Sequence, residues 1–254
     1  MYHPLIAQAT LAISFLAATS LPRNLVLSND DGWATAQIRA QFDALIAAGY
    51  GVILSAPALN QSGKGSRTKT PTVLNKPCEF ETCPLGSPAE GFNASDPRLN
   101  YVNGYPVDAA RYGVQTLSRR LFDKSSPDFV VSGPNIGLNI GVSTQFSGTV
   151  GAAAEASKLG IPAIAFSGAS GSQRCPDPSA YRWVLARNLW NPFAEDVETC
   201  GSTRLPSEAD VVEREEGCFA SVSVISAVTK TDVDRATQAA LMATLYGLHL
   251  SCLD

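Results

Sequence analysis

The sequence predicts an α/β fold: a Rossmann-like, doubly wound, mostly parallel sheet between helical layers, in a three-layer α/β/α arrangement. Short apolar runs recur along the chain as "NLVL", "GVIL", "DFVV" and "IPAIAF". Amphipathic or small-residue helical stretches separate them, and polar, glycine-containing segments follow several of the runs. Such alternation calls for parallel strands covered by helices on both faces.

Each element has its own signal. Leu25 to Leu27 forms a first strand that ends in "SNDDG". Ile38, Phe42, Leu45 and Ile46 share one helical face, and Gly49 stops that helix. "GVILSAP" is a second buried strand. From Ala56 to about Tyr101, Pro, Gly, Ser and Asn dominate, which predicts an excursion with a hairpin around Val73. Pro106 opens a helix at its first turn, with Ala110, Val114, Leu117 and Leu121 as the inner stripe. "PDFVVSG" is the third strand, Gly148 to Leu159 a helix, and "IPAIAFSG" the fourth strand. Beyond Gly168 the alternation fails. "SAYRWVLARNLW" reads as a helix in an irregular stretch, and "CFASVSVISA" alternates as a strand. A last helix starts near Thr231, with Ala236, Ala240, Leu241 and Leu245 inward and His249 upon it. Repeats and a second domain are absent from the pattern.

The net charge of −4 excludes a broad phosphate-backbone binding surface, so no nucleic-acid polymer is expected as a partner. Residues 1–20 read as a secretory leader, because Leu5 to Ala18 is apolar, too short to span a bilayer, and ends in small residues. Residues 21–254 then form a single domain that is secreted and free of the membrane. Six cysteines, an even number, fit an oxidising compartment. Cys78 and Cys83 in "CEFETC" are close enough to pair locally; the pairing of the other four is open, and none has zinc-site spacing. Asn60 and Asn93 head Asn-x-Ser triplets and are glycosylation candidates.

In an open parallel sheet, ligands sit beyond the carboxyl ends of the strands. Asn29, Asp30, Asp31 and Gly32 follow the first strand, Asn60 to Gly63 the second, and Ser132 to Asn135 the third. Adjacent aspartates on a strand would point to opposite faces; in a loop released by Gly32 both can turn to one point. Two neighbouring carboxylates repel unless a cation lies between them. With Ser62 and Asn135 they form an all-oxygen set suited to magnesium or manganese. The plainer alternative has Asp30 capping the first helix and Asp31 in solvent. "SGT", Ser147 to Thr149, stands where a helix begins, and free N–H groups and the helix dipole there attract an anion. Lys64, Arg67 and Lys69 read as a solvated loop face, the alternative being positive charge near a phosphate, and Trp33 and Tyr105 as aromatics that either pack or stack on a base.

Several chemistries are excluded. The chain has two histidines, His3 in the leader and His249 at the far end, too few for phosphohistidine, His-rich dimetal or Ser-His-Asp chemistry. Asp-x-Asp does not follow the first strand, and neither a dinucleotide Gly-x-Gly-x-x-Gly there nor a P-loop occurs. Metal-assisted attack of water on a phosphoryl group remains.

"VLSNDDGW", "SAPALNQSGKGS" and "SGPNIGLNIG…SGTVGAAAEASKLGIPAIAFS" together resemble the SurE (survival protein) family of nucleotidases and acid phosphatases, from about Asn24 to Ser167. "GYPVDAARYG" is similar to the family's Gly-x-Pro-x-Asp helix start, and the cysteines and leader resemble its fungal secreted branch. The resemblance implies a catalytic pair, Asp30 and Asp31, and a divalent metal (Mg or Mn) held by Asp30, Asp31, Ser62 and Asn135. It implies phosphate held by Ser147, Gly148 and Thr149, with Asn139 nearby. The implied reaction is hydrolysis of a small phosphomonoester, such as a nucleoside monophosphate, by metal-activated water; a homodimer is compatible with it. The family follows its fourth-strand motif with a helix and a strand carrying Asn-x-Asn-x-Pro, and between Ser167 and Cys175 neither is found. Residues 168–200 therefore read as shortened, which would leave a sheet edge unpaired and activity impaired.

Overall fold

A computed structural model describes residues 23–168, 175, 177–244 and 249–253; the leader expected at 1–20 and Leu245 lie outside them. At the centre of the sheet is β1 (Asn24–Ser28), followed by α1 (Ala36–Ala47) and β2 (Gly51–Pro57). After the excursion come β3 (Glu90–Asn93), β4 (Asp96–Val102), α2 (Pro106–Tyr112), α3 (Ser118–Leu121) and β5 (Phe129–Ile136). A π-helical segment, Gly113–Leu117, joins α2 to α3. The layer closes with α4 (Gly148–Lys158) and β6 (Ala163–Gly168). The strand order is β3-β4-β2-β1-β5-β6, parallel throughout except for the β3–β4 pair. This is the mostly parallel α/β sheet that the alternation predicts.

The alternation of side chains builds both cores. Leu25 and Leu27 of β1 join Val52, Leu54 and Val131 against Ile38 and Phe42 of α1. Val26 points the other way and meets Val114, Val130 and Ala156. Close approach depends on glycine at Gly151 of α4, where a Cβ would stand 2.1 Å from the Gly65 carbonyl oxygen. Gly151→Ala must therefore push α4 off the 64–69 loop, and overpacking of that kind costs about 1–3 kcal/mol. The expected drop in Tm is about 3–10 °C, measured by circular dichroism; an unchanged Tm would show that this contact yields freely.

Several expectations are corrected. The hairpin is β3–β4, not one around Val73; between β2 and β3 the excursion carries Leu74, Cys78 and Cys83 into the α1-side core. The third predicted strand runs on to Ile136 as β5, pairing Asn135 with Ser167 and Ile136 with Gly168, so Asn135 lies in a strand rather than a loop. The stretch read as the helix "SAYRWVLARNLW" instead holds β7 (Arg182–Ala186), parallel to β8 (Phe219–Ser223) in a separate two-stranded sheet. Val184 and Ala186 pack there with Val211 of α5 (Glu208–Val212). In α6 (Arg235–Thr244), Ala236 and Ala240 are exposed, Leu241 is half-buried as expected of an inner residue, and the fully buried position is Gln238, which binds Asp196; His249 stands outside that helix.

Among the described residues β6 is the outer strand of the main sheet, and Ile164 and Phe166 are only half-buried. "NLWNP", Asn188 to Pro192, has the wrong spacing for Asn-x-Asn-x-Pro, and the strand that leads into it, β7, pairs with β8 rather than with β6. Three disulfides, Cys78–Cys83, Cys175–Cys218 and Cys200–Cys252, use all six cysteines and fit an oxidising compartment.

Candidate functional site

The turn after β1 is closed by its own asparagine. Asn29 Nδ2 donates to the Gly32 carbonyl (3.0 Å), and Gly32 N donates back to Asn29 Oδ1 (3.2 Å). Gly32 has φ +114°, a conformation that favours glycine. The turn takes Asp30 and Asp31 out of strand alternation and buries both, at 2% and 4% exposure. Asp30 Oδ2 accepts from Gly148 N (3.0 Å) and Oδ1 from the Thr149 hydroxyl (2.6 Å). Asp31 Oδ2 accepts from Ile136 N (2.8 Å). The plainer alternative fails on both counts: Asp30 is bound to the start of α4, not α1, and Asp31 is not in solvent.

The other expected ligands reach the same rim. Asn135 Nδ2 donates to the Gly137 carbonyl (2.8 Å), which turns Oδ1 toward the Thr149 hydroxyl at 3.4 Å, beside Asp30. Gln61 N donates to the Asp30 carbonyl (2.7 Å), tying the Ser62 loop to the aspartate turn. Ser62 itself is exposed, with its N–H held by Asn60 Oδ1 (2.9 Å). Burial pushes the Asp31 carboxyl above its ordinary pKa; the Ile136 N–H pulls it down, and the like charges of Asp30 and Glu79 add to the rise. Each Asp30 oxygen keeps a free lone pair beyond its hydrogen bond, and two buried acids side by side call for a cation. Among the described residues no three His, Cys, Asp or Glu side chains gather around one point. A cation here would rely on two carboxylates, the Asn135 amide oxygen, Ser62 and water, a set that fits a hard divalent ion.

The expected phosphate cradle is partly filled by the protein itself. Ser147 is the N-cap of α4, and its Oγ accepts from Val150 N (3.0 Å). Gly148 N and the Thr149 hydroxyl, expected to be open to an anion, both donate to Asp30. The Ser147 hydroxyl proton and the Thr149 N–H remain as donors at this terminus. Asn139 adds another: its backbone N–H donates to Ser167 Oγ (3.1 Å), while its side-chain amide nitrogen is buried without a partner. A Cβ on Gly148 would lie 2.7 Å from Asp30 Cβ, so glycine permits this contact.

Three further placements bear on the site. Lys64 and Lys69 are not merely solvated: their ammonium groups stand 5.8 and 5.1 Å from the Tyr105 ring centroid, and Gly65 N bonds the Phe146 carbonyl next to Ser147. Trp33 is buried against Tyr101 and cannot stack on a ligand. Glu79 was missed; it comes from the excursion, where no periodic pattern marks it. Of the two sequons, Asn60 lies on the site loop, and Asn93 is at the β3–β4 turn, at the opposite end of the sheet.

The model of the family described as "Survival protein SurE" matches residues 25–240. A protein of Yarrowia lipolytica named acid phosphatase is 42% identical over 147 residues, covering 57% of this chain and 41% of its own length. A 5'-nucleotidase SurE of Lawsonia intracellularis is 34% identical over 144 residues, covering 57% of this chain and 50% of its own length. The chain thus spans about half the length of the curated relatives it matches. The crystal structure of the SurE protein from Aquifex aeolicus aligns with TM-score 0.44 at 34% identity, over 59% of this chain and 52% of that one. With its motifs at the strand ends and the family match running along most of its length, the chain belongs to the SurE family.

Proposed function

We propose that this chain is a secreted, divalent-metal-dependent phosphomonoester hydrolase of the acid phosphatase or 5'-nucleotidase type. Residues 1–20 would be its leader and 21–254 its single domain. The observation that carries the reading is the buried Asp30–Asp31 pair at the mouth of α4, with the Asn135 amide oxygen beside it. The names of the relatives support the reaction class.

Asp30, Asp31, Asn135 and Ser62 would hold the ion, magnesium or manganese. When bound, it would polarise the phosphoryl oxygens and lower the pKa of the attacking water. Gly148 N and the Thr149 hydroxyl fix the Asp30 carboxylate, so its orientation is set before substrate arrives. The Ser147 hydroxyl, the Thr149 N–H and the Asn139 amide supply donors to the equatorial oxygens, and the α4 dipole favours the charge that develops there. Lys64 and Lys69 add positive field from the neighbouring loop. The substrate is a small phosphomonoester such as a nucleoside monophosphate.

A second reading is a metal- or phosphate-binding relic without turnover, favoured by the half-buried outer strand β6. Hydrolysis of p-nitrophenyl phosphate and AMP by the purified chain, in Mg²⁺, Mn²⁺ or EDTA, separates the two. Turnover with metal, lost in EDTA and restored by Mn²⁺, is the expected result. Equal turnover in EDTA would overturn metal dependence, and a folded chain that binds Mn²⁺ without hydrolysis would favour the relic.

A further inference from the structure

The Glu79 carboxylate has no part in the reaction described above. It sits in the loop closed by the Cys78–Cys83 disulfide, next to Phe80 and Glu81, whose φ angles are 57° and 54°. Non-glycine residues adopt that conformation at a cost, so the turn is held by its closure, including the Cys78 N to Cys83 carbonyl bond (2.9 Å), rather than by local preference. Held this way, Glu79 reaches the aspartate turn. Its Oε1 accepts from Asn60 N (3.0 Å), in the loop that carries Ser62. Its Oε2 is buried with no partner, and a Cβ on Gly32 would stand 2.3 Å from it. A buried carboxylate oxygen without a donor is costly. Here it adds a third negative charge beside Asp30 and Asp31, and the bonds these three side chains accept come from backbone N–H groups and the Thr149 hydroxyl.

We infer that Glu79 is a positioning residue for the divalent cation of the proposed site: its charge draws the ion to the Asp30–Asp31 pair, and the Cys78–Cys83 loop keeps it in place. The inference rests on the metal-dependent reading above. Glu79 does not gather with the two aspartates tightly enough for a three-carboxylate ligand set, so it acts through space.

Calorimetric titration of the full chain with Mn²⁺ tests this. Glu79→Gln keeps a carbonyl acceptor for Asn60 N and removes the charge. It is expected to weaken Mn²⁺ binding about tenfold at low ionic strength, the order of one unit charge acting across several ångströms of protein. The gap should narrow as salt is added, and Glu79→Asp should bind closer to the unmodified protein. In EDTA the Tm of Glu79→Gln should be equal or higher, because an unpaired charge is gone; a merely structural glutamate would instead leave a lower Tm. Equal Mn²⁺ affinity for Glu79→Gln and the unmodified protein would overturn the inference. An unmodified protein that takes up no Mn²⁺ would overturn the metal reading itself, and this inference with it.

Discussion

Asp30→Asn is expected to lower kcat/KM for p-nitrophenyl phosphate by about a thousandfold or more, the scale of losing several kcal/mol of transition-state stabilisation. The substitution suits the test because the surroundings can accept it. The amide oxygen can take the Gly148 N–H, and the Thr149 hydroxyl can rotate to accept from the new NH₂ group. What disappears is the charge, not the shape. The variant should therefore fold, keep a Tm within a few degrees, and lose Mn²⁺ affinity together with activity. Steady-state kinetics beside a melting curve provides the check. Activity within threefold of the unmodified chain would remove Asp30 from the chemistry; a large loss accompanied by collapse of Tm would make its role structural.

Arg187→Ala is expected to cost about 3–5 kcal/mol of stability, the penalty for removing one partner of a buried ion pair. Arg187 is only 9% exposed. It bonds the Asp196 carboxylate, approaches Asp232 Oδ2 at 3.5 Å, and donates through Nε to the Leu189 carbonyl (3.2 Å). Both carboxylates have other work. Asp196 accepts from Leu205 N and from Gln238 of α6, while Asp232 accepts from the backbone N–H groups of Asn188 and Leu189. Without the guanidinium, two buried carboxylates would lose their counter-charge. The effect should also reach the site. Asn188 Nδ2 donates to the Thr144 hydroxyl (3.0 Å), and Lys230 Nζ donates to the Gln145 carbonyl (3.2 Å), both in the turn that leads to Ser147. A drop in Tm of about 10 °C or more is expected, with Arg187→Lys falling between, since an ammonium keeps the charge but not the planar fork. A Tm within 2 °C of the unmodified protein, by calorimetry, would show the network to be dispensable.

β1, β2, β5 and β6 of the main sheet were legible because they are continuous apolar runs separated by helical patterns; β3 and β4 were not, because "EGFN" and "DPRLNYV" are short on apolar residues and lie in the excursion. Asp30, Asp31 and Asn135 were legible by a geometric rule, that parallel strand ends share one rim. The use of Gly148 and Thr149 to hold Asp30 was not, because it joins residues 118 and 119 positions apart. The cradle that looked open to an anion in sequence is therefore half occupied by a carboxylate. Glu79 escaped notice because it stands in an irregular, disulfide-closed loop, where no periodicity says which way a side chain points. β7 was misread because Tyr181, Val184, Leu185 and Leu189 match helical spacing, and only pairing with β8 makes the segment a strand. Gln238 defied the assumption that inward helix positions are apolar; a buried carboxylate supplies its reason.

Anomalous diffraction at the manganese edge, from crystals grown with Mn²⁺ and phosphate, tests the central claim most directly. The account predicts one strong peak within bonding distance of Asp30, Asp31 and Asn135, with phosphate density between that peak and the start of α4. No peak there, or a peak held by other residues, would contradict it.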